Sequence, residues 1–175
     1  MLKKFVLGCL ALAALGSISS AYAKDEAAMM PPKPVENAVL ESMVGTWQGQ
    51  SNMMGTKMND TIKIYWALNH QFLVTELKAV AVDNANNTYE GMGMYGIDKE
   101  GKVKIWWFDS WGAPTVTTGK GVTQNNELII NDSNSRFNEV RSFKVNGNEM
   151  TMHAKGSMNV NGKNEPFQQT VVYKK

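Results

Sequence analysis

The stretch Gly91–Gly112, GMGMYGIDKEGKVKIWWFDSWG, decides the fold of this chain. It reads as two strands joined by a tight turn at Asp98-Lys99-Glu100-Gly101. Before the turn, Gly91, Gly93 and Tyr95 share one face and Met92 and Met94 the other. After it, Val103, Ile105 and Trp107 alternate with Lys104, Trp106 and Phe108. Alternation of period two around a glycine-containing turn is the pattern of a β-hairpin. Glycines repeated inside a strand predict strong bending or close approach of another backbone. Adjacent tryptophans send one ring to each face, so both faces of the hairpin are expected to carry apolar cover or a ligand.

The same rhythm runs outward in both directions. Upstream, strands are predicted over Gly45–Met54, Asn59–Leu68 and Gln71–Asp83, with turns at Asn69-His70 and Asn84–Asn87. Downstream, they are predicted over Thr115–Val122, Glu127–Asp132, Arg136–Val145, Glu149–Val160 and Glu165–Tyr173. Asn146-Gly147 and Asn161-Gly162 read as type I′ hairpin turns. With Thr88–Ile97 and Lys102–Asp109 from the central hairpin, the chain carries about ten short antiparallel strands. No parallel βαβ unit, internal repeat or second domain is visible. Short links favour an all-β, up-and-down barrel, because closure removes exposed strand edges. One short helix is predicted ahead of the first strand, where Val35, Val39, Leu40 and Met43 fall at helical spacing before Gly45.

Residues 1–23 read as a secretory signal peptide: Lys3 and Lys4, an apolar run from Phe5 to Leu15, and an Ala21-Tyr22-Ala23 cleavage site. The run is too short to span a bilayer, so no stable membrane span is expected. Val6-Leu7-Gly8-Cys9 is a poor lipobox, which disfavours a lipidated Cys9. The expected destination is the bacterial periplasm, or the medium if the protein is secreted. Residues 24–34, with three prolines, form a flexible leader, and residues 35–175 a single barrel domain. Cleavage removes two lysines and no acids, so 18 basic groups become 16 against 16 acidic ones, and the net charge falls from +2 to zero. The basic pI therefore implies no nucleic-acid partner. Cys9, the one cysteine, leaves with the signal, so no disulfide is needed.

Several motifs in order resemble a known family. They are Gly45-Thr46-Trp47-Gln48-Gly49, His70-Gln71-Phe72-Leu73, Tyr89-Glu90-Gly91-Met92-Gly93, Tyr95-Gly96-Ile97-Asp98, Trp107–Gly112 and Gly119-Lys120-Gly121. Together they resemble the bacterial, often secreted, family numbered 1579 among domains of unknown function. The resemblance spans about residues 36–175. That family is similar to the calycins, which include lipocalins, fatty-acid-binding proteins and the heme-binding nitrobindins. The resemblance implies a barrel with a central cavity and brings no catalytic residues. Nitrobindins extend the first-strand motif into a longer glycine series ending in Tyr-Pro, which helps cradle heme. Here Gly49 is followed by Gln50-Ser51-Asn52-Met53-Met54, and no cofactor is expected.

The residue chemistry leaves alternatives open. His70 falls in a turn, and His153 falls on the face opposite Met150 and Met152 in a regular strand. Two histidines are too few for a zinc site, and no nucleophile-elbow motif occurs. The chain holds 12 methionines, several in pairs, which would suit Cu(I) or, more plainly, fill an irregular interior. Of 18 basic residues only Arg136 and Arg141 are arginines. A guanidinium inside the barrel would clamp a ligand carboxylate. Five positions apart in an unbroken strand, at most one arginine faces inward, and the plainer reading of both is a solvated face. Glu90 and Asp109 would be a carboxylate pair across the hairpin, though Asp109-Ser110 reads equally well as a turn cap.

The leading reading is thus a barrel holding a small apolar or amphipathic molecule. Its candidate ligand-binding residues are Trp47, Trp66, Met92, Met94, Tyr95, Trp107 and Arg141, although Met92 and Tyr95 share a face only across a bulge. The alternatives are a heme- or copper-binding barrel using His153 with methionines, an enzyme in the same cavity, and a filled structural barrel without ligand. No residue is assigned a catalytic or metal-binding role.

Overall fold

Ten antiparallel strands follow one another around a closed barrel in the computed structural model, which describes residues 31–175. The expected signal peptide, and the leader up to residue 30, lie outside the described residues. Pro34–Lys175 form one compact unit. The strands are β1 (Gly45–Met53), β2 (Thr56–Ala67), β3 (Phe72–Ala81), β4 (Thr88–Ile97) and β5 (Val103–Asp109), then β6 (Thr117–Gln124), β7 (Glu127–Ser133), β8 (Phe137–Asn146), β9 (Glu149–Val160) and β10 (Lys163–Lys174). Each pairs with its sequence neighbour, and β1 closes on β10 through Gln48 and Lys174.

Turn chemistry sets the register. Met53 pairs with Thr56, Gln124 with Glu127 and Val160 with Lys163, leaving two-residue loops at Met54-Gly55, Asn125-Asn126 and Asn161-Gly162. All six loop residues have positive φ, the mark of a type I′ turn. The expected I′ turn at Asn146-Gly147 is displaced by one residue. Asn146 pairs with Glu149, so the loop is Gly147-Asn148 and only Gly147 has positive φ. That places glycine first, as a type II′ turn requires. β6 starts later than predicted because Ala113–Thr115 form a 3-10 turn around Pro114.

The helix is shorter than the apolar spacing implied: α1 spans Ala38–Met43, not Val35–Met43. Asn37 Oδ1 accepts from the amides of Val39 and Leu40, and its Nδ2 donates to Thr123 Oγ1 at 3.0 Å. Val35 instead pairs with the β2–β3 turn, donating its amide to the His70 carbonyl at 3.0 Å. Six residues make too short a helix to stand alone. α1 is held by burial of Leu40 and Met43 in the main core cluster, where it stops one end of the barrel.

Strand phase sorts the residues. Trp107 faces inward and Trp106 outward, where Phe72 meets it edge-on at 6.2 Å. Cover on the outer face is incomplete, since Met92 and Phe108 are each 43% exposed. No helix among the described residues is long and apolar enough to cross a membrane. The outward phase of β9 (Thr151, His153, Lys155, Ser157 and Asn159) is polar, unlike the apolar band of a lipid-facing barrel.

Candidate functional site

Ten strands enclose more width than side chains readily fill. A cavity of about 1340 Å³ lies above α1 and opens at the opposite end. Met43 of the helix, Ile62, Ile64, Phe143 and Met150 supply its deep apolar wall. The mouth is ringed by loop residues from Met54-Gly55, Trp111, Asn134–Arg136 and Asn161. This cavity speaks against a barrel filled by its own side chains.

Trp107 forms a wall of this cavity, and β4 is built to receive it. Gly93 is its cross-strand partner. A Cβ on Gly91 would collide with Trp107 Cζ2, and one on Gly93 would stand 3.0 Å from Cε3. The repeated glycines thus admit an indole ring, where the sequence predicted strong bending or close approach of another backbone. Trp107 Nε1 donates to the Tyr89 hydroxyl at 3.1 Å, and that hydroxyl donates to Asp109 Oδ2 at 3.2 Å. Asp109 Oδ1 accepts from Thr115 Oγ1 at 2.6 Å and from the Trp111 amide. Asp109 is therefore a turn cap. Glu90 points to the outer surface, 4.0 Å from Lys78, so the two carboxylates form no pair.

The polar part of the inner wall contains a charged cluster. Arg141 lies 2.5 Å from Asp132 Oδ2 and 3.2 Å from Glu139 Oε1, with its guanidinium 5.6 Å from the Trp107 ring centre. Burial works against the Arg141 cation, but Glu139 and Asp132 outweigh it and hold the group protonated above its usual value. Burial pushes the Glu139 carboxyl up; Arg141 pulls it back, and Asp132 pushes it further up. Across the barrel, Asp60 accepts from Ser51 Oγ at 3.0 Å and from the Tyr173 hydroxyl at 3.1 Å. Burial raises its carboxyl too, against the pull of those hydrogen bonds.

The predicted residues divide between three places. Tyr95, Trp107 and Arg141 line the cavity. Trp47 and Trp66 sit at the closed end: Trp47 donates to the Met43 carbonyl at 2.7 Å, and Trp66 donates to Glu41 at 2.7 Å while stacking on His70. They fasten the helix and take no part in the cavity lining. Met92 and Met94 correct the prediction, because no bulge interrupts the β3–β4 and β4–β5 registers and both project from the outer face opposite Tyr95. Both arginines border the cavity, against the expectation of at most one, since Arg136 precedes β8 and escapes its alternation.

His153 is exposed on the outer face and hydrogen-bonds Thr170, while Met150 and Met152 point inward. A heme or copper site joining His153 to these methionines is geometrically excluded. Sequence reasoning missed Asp60, Glu139 and Asp132. Each falls in the same phase as apolar neighbours, Asp60 with Ile62 and Ile64, Glu139 with Phe143, and Asp132 with Leu128 and Ile130. A carboxylate on an otherwise apolar phase was the available signal.

No protein-family model matches the chain, and no curated protein is similar to it in sequence.

Proposed function

We propose that this chain is an exported binding protein of the calycin type, which takes a small apolar or amphipathic molecule into its open-ended cavity without covalent chemistry. The cavity of about 1340 Å³ carries this reading. It exceeds the range of about 300–1,000 Å³ usual for small-molecule sites, and it combines an apolar wall with a few convergent polar groups, as such sites do. The signal-like residues 1–23 and the ordered glycine and tryptophan motifs support export and the family resemblance.

Native mass spectrometry of the protein purified from its own export compartment tests the proposal. A bound mass that leaves on denaturation is the expected result. A clean apo mass, together with unchanged tryptophan fluorescence across a panel of aliphatic and aromatic amphiphiles, overturns it.

A further inference from the structure

The polar wall of the cavity also bears on which headgroup it accepts, a selectivity that rests on the proposed binding function. Among the residues lining the cavity, Arg136 and Arg141 are the only cations. Arg136 is exposed at the rim. Arg141 already holds two carboxylates, Asp132 and Glu139, so a ligand carboxylate would be the third anion on one guanidinium. Like charges brought that close in a poorly solvated interior repel strongly.

Asp60 is the opposite case. It is buried, lines the cavity, and is held by two hydroxyl donors, with no cation in salt-bridge range among the described residues. A buried carboxylate without a counter-charge is costly unless something cationic reaches it. Among the described residues, Arg141 Nε is a buried donor without a partner, and Asp132 Oδ1 beside it is a buried acceptor without one, so the open hydrogen-bonding capacity of that cluster is mixed. Gln169 Oε1 is buried without a hydrogen bond and can only accept.

We propose that the cavity selects amphiphiles whose polar end is a protonated amine, with Asp60 as its counter-ion, and rejects those ending in a carboxylate. Uncharged hydroxyl-headed molecules of the same length fall between the two. The charge balance of the wall agrees, since Asp60, Asp109, Glu139 and Glu165 line the cavity and Asp132 lies behind Arg141, against the two guanidinium groups of Arg136 and Arg141.

The test is a tryptophan-fluorescence titration of the folded chain at neutral pH with dodecylamine, 1-dodecanol and dodecanoate, each below its micellar concentration. Dodecylamine is expected to bind at least about tenfold tighter than dodecanoate, equivalent to ~1.4 kcal/mol. In Asp60→Asn, checked for folding by circular dichroism, the amine is expected to lose its advantage over the alcohol. Dodecanoate binding as tightly as the amine overturns the headgroup assignment and leaves the binding reading intact. So does an alcohol that matches the amine in the unmodified protein, a comparison that needs no variant to fold. Failure of all three to bind overturns the binding reading and this inference with it.

Discussion

At the closed end of the barrel, polar side chains hold the chain to itself. Asn37 caps α1 and ties it to β6, Trp47 and Trp66 donate to the helix, and the His70 ring reaches the Val35 carbonyl at 3.0 Å. The adjoining run Leu68-Asn69-His70 has positive φ at all three residues, and Val35 ties down His70 at both its carbonyl and its ring. Towards the open end, the same residue classes are turned on the cavity. Among the described residues no cation meets Asp60, Gln169 Oε1 is buried without a partner, and Trp107 is laid flat over two glycines. One end is satisfied internally, while the other keeps buried polar atoms without a protein partner, the contrast on which the proposed binding function draws. Stability and binding should therefore be separable by position.

The largest effect is expected from Trp47→Ala, which removes a side chain with 0% exposure and its hydrogen bond to α1. Loss of a buried tryptophan costs about 3–5 kcal/mol, measurable by urea denaturation. A loss well under 1 kcal/mol would mean that the helix does not anchor the barrel. Gly91→Ala should cost about 1–3 kcal/mol by overpacking, because the new methyl meets Trp107. It should also shift the Trp107 emission spectrum, and an unchanged spectrum would argue against the flat-lying indole.

Asp60→Asn should raise the melting temperature at neutral pH. Burial lifts the Asp60 carboxyl above its ordinary value, so the folded state binds its proton more tightly than the unfolded one. The resulting stability is present below the unfolded aspartate value and is lost as pH rises through the folded one. The unmodified protein should accordingly gain on the variant as the solution is acidified through that window, and parallel curves would contradict the assignment. The smallest effect on stability is expected from Trp111→Ala at the mouth, where the ring is 50% exposed and touches Tyr89 edge-on at 5.3 Å. Its change should stay within about 0.5 kcal/mol, while amphiphile affinity falls. Equal losses of stability and affinity would erase the distinction between the ends.

Much of this molecule was legible in advance. Alternation around the Asp98–Gly101 turn revealed the hairpin, and the remaining turn signals gave the ten strands and their up-and-down order. Glycine and asparagine turns were identified for a local reason: positive φ is cheap only for such residues. The cavity wall was legible in part. Tyr95 and Trp107 share a phase, and so do Arg141 and Phe143, but phase does not say which face is inside. Met92 and Met94 were placed in the candidate site because methionine suits an adaptable lining, whereas their register puts them outside.

The sequence by itself determined the strands and their alternating faces, and most of their turns, because each depends on residues a few positions apart; the exact loops at Met54-Gly55 and Gly147-Asn148 came from the pairing. Only the tertiary structure decided that α1 stops one end and that a cavity remains above it. It also decided that Asp60 meets Tyr173 across a separation of 113 residues. Those outcomes depend on closure: how ten strands curve determines which side chains converge, and no local period encodes the distance across a barrel.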